Sequence, residues 1–343
     1  MRIKKVKSER RKYMSKFVYA DNAATTNVSP EVLREMMPYF GSEYGNPSSL
    51  YSIGRSASLA ISAAREKIAS LLGAKSNEIY FTSCGSESDN WAIKGAAHAN
   101  AAKGKHIITT VYEHHAVLHT MDSLKKEGFE ITYLKVDSNG QITPEELEAA
   151  IRPDTILIAA MFANNEIGSV LPIKEFAAVA KRHKITIFTD AVQAVGNIPV
   201  NVSELGVDML SLSGHKIHAP KGIGVLYVKT GVRIANLIDG GGQERGRRGG
   251  TENVAYIVGL AKALELAVSG LSDMGRIAAM RDRLATEIIK NIPYSRINGG
   301  MEHRLPGNLN VSFEFIEGES LILLLDMAGI CASTGSACST ASL

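Results

Sequence analysis

The feature that most constrains the fold of this chain is a repeated alternation of short apolar segments with longer amphipathic ones. Apolar runs of about 4–8 residues predict buried strands, and the amphipathic segments between them predict helices. Strands that alternate with helices form a mostly parallel sheet with helices on both faces, so the sequence predicts an α/β fold. The predicted strands are 78–82, 106–110, 130–136, 155–162, 185–190, 208–213 and 224–228.

A helix-rich region follows the last of these strands and predicts a second, smaller domain. Segments 253–269 and 272–292 have helical periodicity, and short strands are predicted near 296–298 and 308–312. A last helix is predicted at 319–328. The helices predicted between the strands of the sheet are 53–72, 88–102, 116–127, 144–151 and 173–182.

Polar or small residues follow five of the predicted strands. In open α/β sheets, ligands bind beyond the carboxyl ends of the strands. Five such strand ends are much harder to explain by chance than one, and they predict a binding site there. The segments are 83–86, 113–115, 164–168, 190–193 and 213–216.

A lysine and an aspartate at two of these strand ends indicate the chemistry. Lys216 lies in a polar turn between two apolar strands, and Asp190 ends another apolar strand. A lysine can hold pyridoxal phosphate as a Schiff base, while an aspartate keeps the pyridine nitrogen protonated. The alternatives are a surface lysine in a turn and a helix N-cap at Asp190, for a helix that starts near Ala191.

Segment 83–86 (Ser-Cys-Gly-Ser) opens a predicted helix and is a candidate phosphate cradle. The free amides of a helix N-terminus favour an anion, Gly85 allows close approach, and Ser86 offers a hydroxyl. Ser213 and His215 are candidate donors to the same phosphate. The alternative is a plain serine N-cap with a glutamate in the first turn.

Two further strand-end side chains are candidates for contact with the ring of such a cofactor. A neutral imidazole such as His114 can lie flat on a pyridine ring and move a proton. Gln193 is a candidate donor to the phenolic oxygen of the ring. The alternatives are a structural histidine and an ordinary helical surface residue.

Cys338 lies among small polar residues in segment 333–342. A buried structural cysteine would rarely lie in such a loop, whereas a nucleophile that has to travel would. Cys84 and Cys331 are interpreted as packing residues. Three cysteines without zinc-site spacing predict a reducing, cytoplasmic location and no metal site.

The net charge of +3 comes from one short segment. Residues 1–13 contain seven Lys or Arg and one Glu, so the remaining chain carries −3. Basic leads can bind nucleic acid or membranes, but Met14 is a plausible start and no signal-peptide core is present. We expect a disordered lead with neither partner. No apolar run approaches the roughly 18 residues that a membrane span needs.

Together these residues resemble the cysteine desulfurases, a family of pyridoxal 5′-phosphate (PLP) enzymes in the class V aminotransferase group of fold-type I. The resemblance runs from Tyr19 to the end of the chain. The loop around Cys338 is similar to that of the branch serving iron–sulfur cluster assembly and nitrogenase maturation. The matching motifs are 19–25, 45–48, 81–83, 87–90, 113–114, 164–168, 190–193, 213–216, 240–246, 250–251 and 335–338.

The resemblance implies a fold-type I PLP-dependent transferase with two domains. A large PLP-binding domain over 29–265 would hold a mostly parallel seven-stranded sheet in three α/β/α layers. A smaller α+β domain would combine 14–28 with 266–343.

The resemblance also implies a reaction and a homodimer. L-cysteine would become L-alanine. The Cys338 thiolate would attack the substrate sulfur and keep it as a persulfide, and His114 would assist by deprotonating the substrate thiol. Asn165 would contact the ring oxygen and the substrate, and Thr251 the phosphate of the other subunit. Sulfur would pass to an iron–sulfur scaffold or sulfur-carrier protein. Cys338 is also a candidate ligand to an iron–sulfur cluster, together with residues of the scaffold. The implied cofactor-binding residues are Lys216, Asp190, Gln193, His114, Asn165, Gly85, Ser86, Ser213, His215 and Thr251.

Members of the family continue past the cysteine loop with a segment that carries an arginine, which clamps the substrate carboxylate as a bidentate fork. The present sequence stops at Leu343, before that segment. Two other hypotheses stay open: another fold-type I enzyme, such as an aminotransferase or a selenocysteine lyase, and an inactive binding subunit of a sulfur-transfer assembly. The mobile thiol disfavours the aminotransferase, because transamination needs no thiol.

Overall fold

The computed structural model describes residues 17–335 and is built around a seven-stranded sheet. The predicted basic lead over 1–13 and Cys338 lie outside the described residues. The strands in chain order are β1 (Val18–Tyr19), β2 (Ile79–Thr82), β3 (His106–Thr110), β4 (Glu130–Leu134), β5 (Thr155–Ala159), β6 (Thr186–Asp190), β7 (Met209–Ser213), β8 (Gly224–Val228), β9 (Ser295–Ile297), β10 (Val311–Phe313) and β11 (Ile330–Cys331).

The order of the strands in the large sheet is β2-β8-β7-β6-β5-β3-β4. Within this sheet β8 alone runs against the others, because it pairs antiparallel with both β7 and β2. Strands β2, β3, β5, β7 and β8 are buried at every residue. Strands covered on both faces are rich in apolar residues, which explains why the sequence predicted them well.

Helices cover both faces of the sheet and form two buried apolar clusters with it. The helices in chain order are α1 (Pro30–Met36), α2 (Ser52–Leu72), α3 (Gly85–Asn100), α4 (His115–Lys126), α5 (Pro144–Ala149), α6 (Ile173–His183), α7 (Val202–Leu205), α8 (Gln243–Gly246), α9 (Val254–Ser269), α10 (Met274–Asn291) and α11 (Gly318–Met327). The predicted mostly parallel α/β fold is therefore confirmed.

Local sequence signals fix several helix ends. Ser29 caps α1 by accepting a hydrogen bond from Val32 N at 3.2 Å, with a proline at the first helical position. Thr143 and Glu146 form a capping box at α5, where each side chain accepts from the backbone of the other. Helix α2 is capped at its C-terminus by Gly73, whose φ of +68° is left-handed and suits glycine.

Helices α9 and α10, with the short helix Gly270–Asp273 between them, form a stretch long and apolar enough to cross a membrane by length and composition. Helix α9 instead packs against α1 and α2. Leu260 and Leu264 of α9 are fully buried there. Burial in the protein core therefore accounts for the apolar composition of α9.

Two small sheets lie outside the large one. Strand β1 pairs parallel with β11, and β9 pairs antiparallel with β10. The β1–β11 pair joins the two ends of the described chain, with Tyr19 opposite Cys331. The division into a domain over 29–265 and a second over 14–28 and 266–343 stays a prediction.

Candidate active site

The carboxyl ends of the strands bring the predicted site segments together at one edge of the sheet. A Cβ added to Gly85, which follows β2, would lie 2.9 Å from Val192 Cγ2 and 3.3 Å from Ser213 Cβ. The ends of β6 and β7 therefore lie directly against the start of α3. Lys216 follows at the end of the short helix Gly214–Lys216, immediately after β7.

Residues 21–26, to which no role was assigned from the sequence, cross this edge as a strap. The Lys216 Nζ donates to the carbonyl oxygens of Ala23 and Ala24, the latter at 2.9 Å. Gln193 Nε2 donates to the same Ala23 carbonyl at 3.1 Å. Gln193 is 8% exposed, so its interpretation as a helical surface residue is wrong.

The strap also holds His215. His215 Nδ1 lies 3.1 Å from Thr25 Oγ1, and the backbone N–H and the hydroxyl of Thr26 donate to the His215 carbonyl at 2.8 and 2.9 Å. Burial, together with the charges of Lys216 and Lys221, lowers the pKa of His215 to about 4. The imidazole is therefore neutral at physiological pH and can donate one hydrogen bond.

Asp190 ends β6 and is 5% exposed. Its Oδ1 accepts a hydrogen bond from Val192 N at 2.8 Å, as an N-cap would, but a turn follows and no helix begins at Ala191. Burial raises the pKa of Asp190 to about 6, although the Val192 hydrogen bond and the charge of Lys216 act to lower it. A further cation beside Asp190 would keep its carboxylate ionised.

Two more buried acids adjoin Asp190, Asp89 and Glu113, which lie in segments noted from the sequence but were given no role there. Asp89 accepts a hydrogen bond from Ser211 Oγ at 2.5 Å, and Ser211 is paired with Asp190 in the sheet. Burial, then the charge of Asp190, raises the pKa of Asp89 well above its ordinary value. Burial likewise raises the pKa of Glu113 to about 8. The strand-end position of Glu113 predicted its place at this edge, whereas Asp89 lies within α3 and only the fold brings it beside Asp190.

His114 is the N-cap of α4. Its Nδ1 accepts from Ala116 N at 3.1 Å, which leaves the proton of the neutral ring on Nε2. Burial, with the charges of Lys216 and His115, lowers the pKa of His114 below its usual value. The ring is therefore neutral and can exchange a proton through Nε2, so the structural and the functional interpretations are compatible.

The proposed phosphate cradle is an uncapped helix N-terminus. The N-cap position of α3 is Cys84, whose side chain makes no capping hydrogen bond. The interpretation as a serine N-cap is therefore wrong. Ser86 is exposed in the first turn, while Ser213 is 3% exposed beside Gly85. Amides at such an end bind an anion well, because the helix dipole adds to their hydrogen bonds.

Asn165 lies in the turn after β5, which its neighbour Asn164 holds in place. Asn164 Oδ1 accepts from the backbone N–H groups of Glu166 and Ile167, both at 2.9 Å. Asn164 Nδ2 donates to the Tyr112 carbonyl at 2.9 Å, two residues before His114. The amide of Asn164 therefore ties the Asn165 turn to the loop that carries His114.

Thr251 does not join this cluster within one chain. It is exposed and lines a surface groove with Tyr39, Tyr44 and Asn46. Its predicted contact with the phosphate of a second subunit stays a prediction.

Cys338 lies outside the described residues, but the chain that leads to it passes close to the strap. Ser333 Oγ donates to Asp21 Oδ1 at 2.8 Å. Asp21 is two residues from Ala23, which accepts the hydrogen bond of Lys216.

The class of the protein follows from comparison with known sequences. The profile of the Aminotransferase class-V family matches residues 18–343, so the chain belongs to this PLP-dependent family. Within it, the chain belongs with the cysteine desulfurases. It is 57% identical to cysteine desulfurase IscS of Methanosarcina thermophila, over 96% of this chain and 81% of that protein. It is 54% identical to cysteine desulfurase IscS of Clostridium botulinum strain Hall, over 96% of this chain and 84% of that protein.

Solved structures agree with this assignment. A NifS-like protein superposes with a TM-score of 0.90 at 43% identity, covering 93% of this chain and 88% of its own. SspA, solved in complex with cysteine, superposes with a TM-score of 0.83 at 38% identity, covering 95% and 91%. The predicted family, fold type and cofactor are confirmed.

The residues of the cluster fit PLP. An uncapped helix N-terminus suits its phosphate, and Gly85 leaves no side chain in the way. A buried aspartate that needs a neighbouring cation suits a protonated ring nitrogen. A lysine at the same sheet edge suits the aldehyde.

Proposed function

We propose that this chain converts L-cysteine to L-alanine and holds the released sulfur as a persulfide on Cys338. The observation that carries the proposal is the hydrogen bond between Ser333 and Asp21, which anchors the cysteine-bearing segment beside the strap. Cys338 follows Ser333 by five residues, which extended chain can span over roughly 17 Å. A thiol on so short a tether can reach a substrate held at Lys216.

PLP, when bound, supplies an electron-withdrawing ring that makes the bonds at the α and β carbons of an amino acid labile. Lys216 would hold it covalently, and Asp190 would face its ring nitrogen. Gln193 and Asn165 would contact the phenolic oxygen. The phosphate-binding residues would be Gly85, Ser86, Ser213, His215 and, from a second subunit, Thr251.

His114 and Cys338 would perform the proton and sulfur steps. A neutral His114 exchanges a proton at Nε2 beside the reacting atoms and assists loss of the proton of the substrate thiol. The Cys338 thiolate attacks the substrate sulfur, so that an S–S bond forms and the C–S bond breaks. The sulfur is oxidised to the sulfane level while the β carbon is reduced and gains the proton that makes the methyl group of alanine. No external oxidant or reductant is needed.

The wider setting of the reaction is also part of the proposal. A homodimer would complete each site through Thr251, and the groove that holds Thr251 is bordered by exposed apolar residues such as Phe40 and Tyr44. The persulfide would pass its sulfur to an iron–sulfur scaffold or a sulfur-carrier protein. The protein would work in a reducing cytoplasm, where the thiol of Cys338 stays available.

The mass of the intact protein after treatment with L-cysteine tests the reaction. We expect a gain of one sulfur atom, mapped to Cys338 by peptide analysis, with formation of L-alanine. Cys331→Ser is the matched control and should still gain the sulfur, whereas Cys338→Ser should not. Alanine formed without any sulfur on Cys338 would favour a lyase, and no turnover by the PLP-loaded chain would favour a binding subunit.

A further inference from the structure

The first turn of α3 carries a carboxylate next to the phosphate cradle. Glu87 Oε2 accepts from Ser83 N at 2.8 Å and from Ser83 Oγ at 2.5 Å, which ties the first residue of the cradle to the helix. A carboxylate so placed also competes with a phosphate for the positive end of the helix dipole. Two anions at one helix end repel each other unless a cation lies between or beside them.

Arg248 is that cation. Its Nε donates to Glu87 Oε1 at 2.8 Å and its Nη2 to Glu87 Oε2 at 3.0 Å, a bidentate pair. The side chains are only 20% and 10% exposed, so solvent screens the pair weakly. Burial alone would raise the pKa of Glu87, but the hydrogen bonds from Arg248 and Ser83 outweigh burial and hold this pKa below its usual value.

The loop that carries Arg248 is itself fixed to the edge of the sheet. Glu244 accepts two hydrogen bonds of 2.8 Å from Arg65, and its Oε2 also accepts from Phe81 N of edge strand β2 at 3.1 Å. Glu244 and Arg245 have left-handed φ values of +47° and +60°. Such a conformation is unfavourable for residues other than glycine, so the buried Glu244–Arg65 pair has to hold the loop in place.

We propose that Arg248 is a positioning residue for the cofactor phosphate, and that the Glu244–Arg65 pair fixes the loop that presents it. Arg248 cancels the charge of Glu87 and keeps the Glu87 side chain on Ser83, so that the cradle accepts a dianion. The inference rests on the proposed function in one respect, the assignment of segment 83–86 as the cradle.

Titration of the full-length apoprotein with PLP and with pyridoxal, which lacks the phosphate, tests the inference. We expect Arg248→Met to weaken PLP binding about tenfold, while pyridoxal binding stays unchanged, because an uncompensated Glu87 repels only the phosphate. The matched control is Arg247→Met. It removes the same charge from the same loop, but Arg247 donates to Ile234 O and does not touch Glu87.

A double variant separates charge cancellation from direct phosphate binding. Glu87→Gln combined with Arg248→Met should recover PLP affinity to within about threefold of the unmodified chain, since the repelling charge is gone. A double variant as weak as Arg248→Met would overturn the charge-cancelling role. Equal losses of affinity for PLP and for pyridoxal in Arg248→Met would mean that Arg248 has only a general structural role, and would also overturn the proposal.

Glu244→Gln tests the second half of the inference. It should weaken PLP binding in the same phosphate-dependent way and speed amide hydrogen exchange in 240–250, while the exchange of β7 stays unchanged. Unchanged hydrogen exchange in 240–250 and unchanged PLP affinity in Glu244→Gln would contradict the proposed role of the Glu244–Arg65 pair. Two other measurements test the proposed function separately. The affinity of the unmodified protein for PLP relative to pyridoxal tests the assignment of the cradle, and the persulfide assay tests the reaction.

Discussion

At the scale of single residues, three buried carboxyl groups compete for protons behind the proposed cofactor. Asp190 is the acid on which the charge of Lys216 acts, while Asp89 receives a hydrogen bond from Ser211. Glu113 Oε1 accepts both the Thr110 hydroxyl at 2.7 Å and Met161 N at 2.9 Å. With both of these donors on Oε1, Oε2 is the oxygen that can hold a proton. Neutral Glu113 and Asp89 would leave the single negative charge on Asp190, where the chemistry needs it.

The Glu113→Gln variant tests the neutral state of Glu113. Its folded pKa of about 8 exceeds the unfolded value of about 4.3, so the folded state binds this proton more tightly. The stability that this proton contributes is full below about pH 4.3 and is lost as the pH rises to about 8. Glutamine mimics the neutral acid and does not titrate. Between pH 5 and pH 8 the free energy of unfolding should therefore fall in both proteins, but by roughly 1–3 kcal/mol less in the variant than in the unmodified protein.

Denaturant unfolding at several pH values measures this difference. Glu302→Gln, a change at an exposed glutamate, is the control and should follow the unmodified protein. Parallel curves for Glu113→Gln and the unmodified protein would mean that Glu113 is ionised in the fold.

At the scale of elements, close contact between β8 and the cradle sets the position of Cys84. A Cβ added to Gly224 would lie 2.8 Å from the Cys84 carbonyl carbon and 2.9 Å from the Leu212 carbonyl oxygen. These are backbone atoms, so they cannot turn away as a flexible side chain could. Glycine at this position of β8 therefore lets the strand support the start of α3.

Gly224→Ala should lower both stability and PLP affinity, since it pushes the backbone of the cradle away from the sheet. We expect a loss of about 1–3 kcal/mol in unfolding free energy, together with faster release of PLP from the holoenzyme. Gly275→Ala is the matched control, because a Cβ there meets nothing within 4 Å and the residue lies in α10. The control should be neutral or slightly more stable. An unchanged melting temperature for Gly224→Ala would contradict this account.

Elements buried on both faces were the easiest to predict from sequence. Strands 106–110 and 224–228 were predicted with the bounds that the structure has, since the first centres on the apolar pair Ile107 and Ile108 and the second is an apolar run after Gly224. Helix Pro30–Met36 and the β1–β11 pair were missed. The helix is short, and a two-residue strand has no periodicity to detect. Contacts such as that of Glu244 with Arg65 join positions far apart in the chain, so only the fold could reveal them.

At the scale of the whole molecule, exposed apolar side chains lie within or shortly after segment 44–47, which lines the groove that holds Thr251. Leu50 is 94% exposed, Tyr44 71% and Tyr51 64%. A soluble protein rarely exposes such a cluster unless a partner covers it. The proposed occupant is a second copy of this chain.

Leu50→Asp should dissociate that dimer without destabilising the chain, because Leu50 makes little contact in one copy. Sedimentation analysis at micromolar concentration should give a dimer for the unmodified protein and a larger monomer fraction for the variant. Leu323→Asp, at a 66% exposed leucine of α11, is the control for adding a charge to an apolar surface. A monomeric unmodified protein would contradict the proposed dimer.

The meeting of the candidate segments at one edge of the sheet was predicted from the strand ends, but the contacts that support them were not. Segments at the ends of β2, β3, β5, β6 and β7 were chosen for their position, and the fold brings them to one edge. The sequence offered 19–25 as a matching motif but gave the strap over 21–26 no role, because the strap contributes backbone carbonyls rather than reactive side chains.

The proposed chemistry depends on Lys216 carrying the cofactor at the edge where the strap, Asp190 and the cradle meet. Reduction of the holoenzyme with borohydride, followed by digestion and peptide mass mapping, measures this directly. We expect one pyridoxyl group per chain, on Lys216. A pyridoxyl group on any other lysine, or none on a chain that holds PLP, would contradict it.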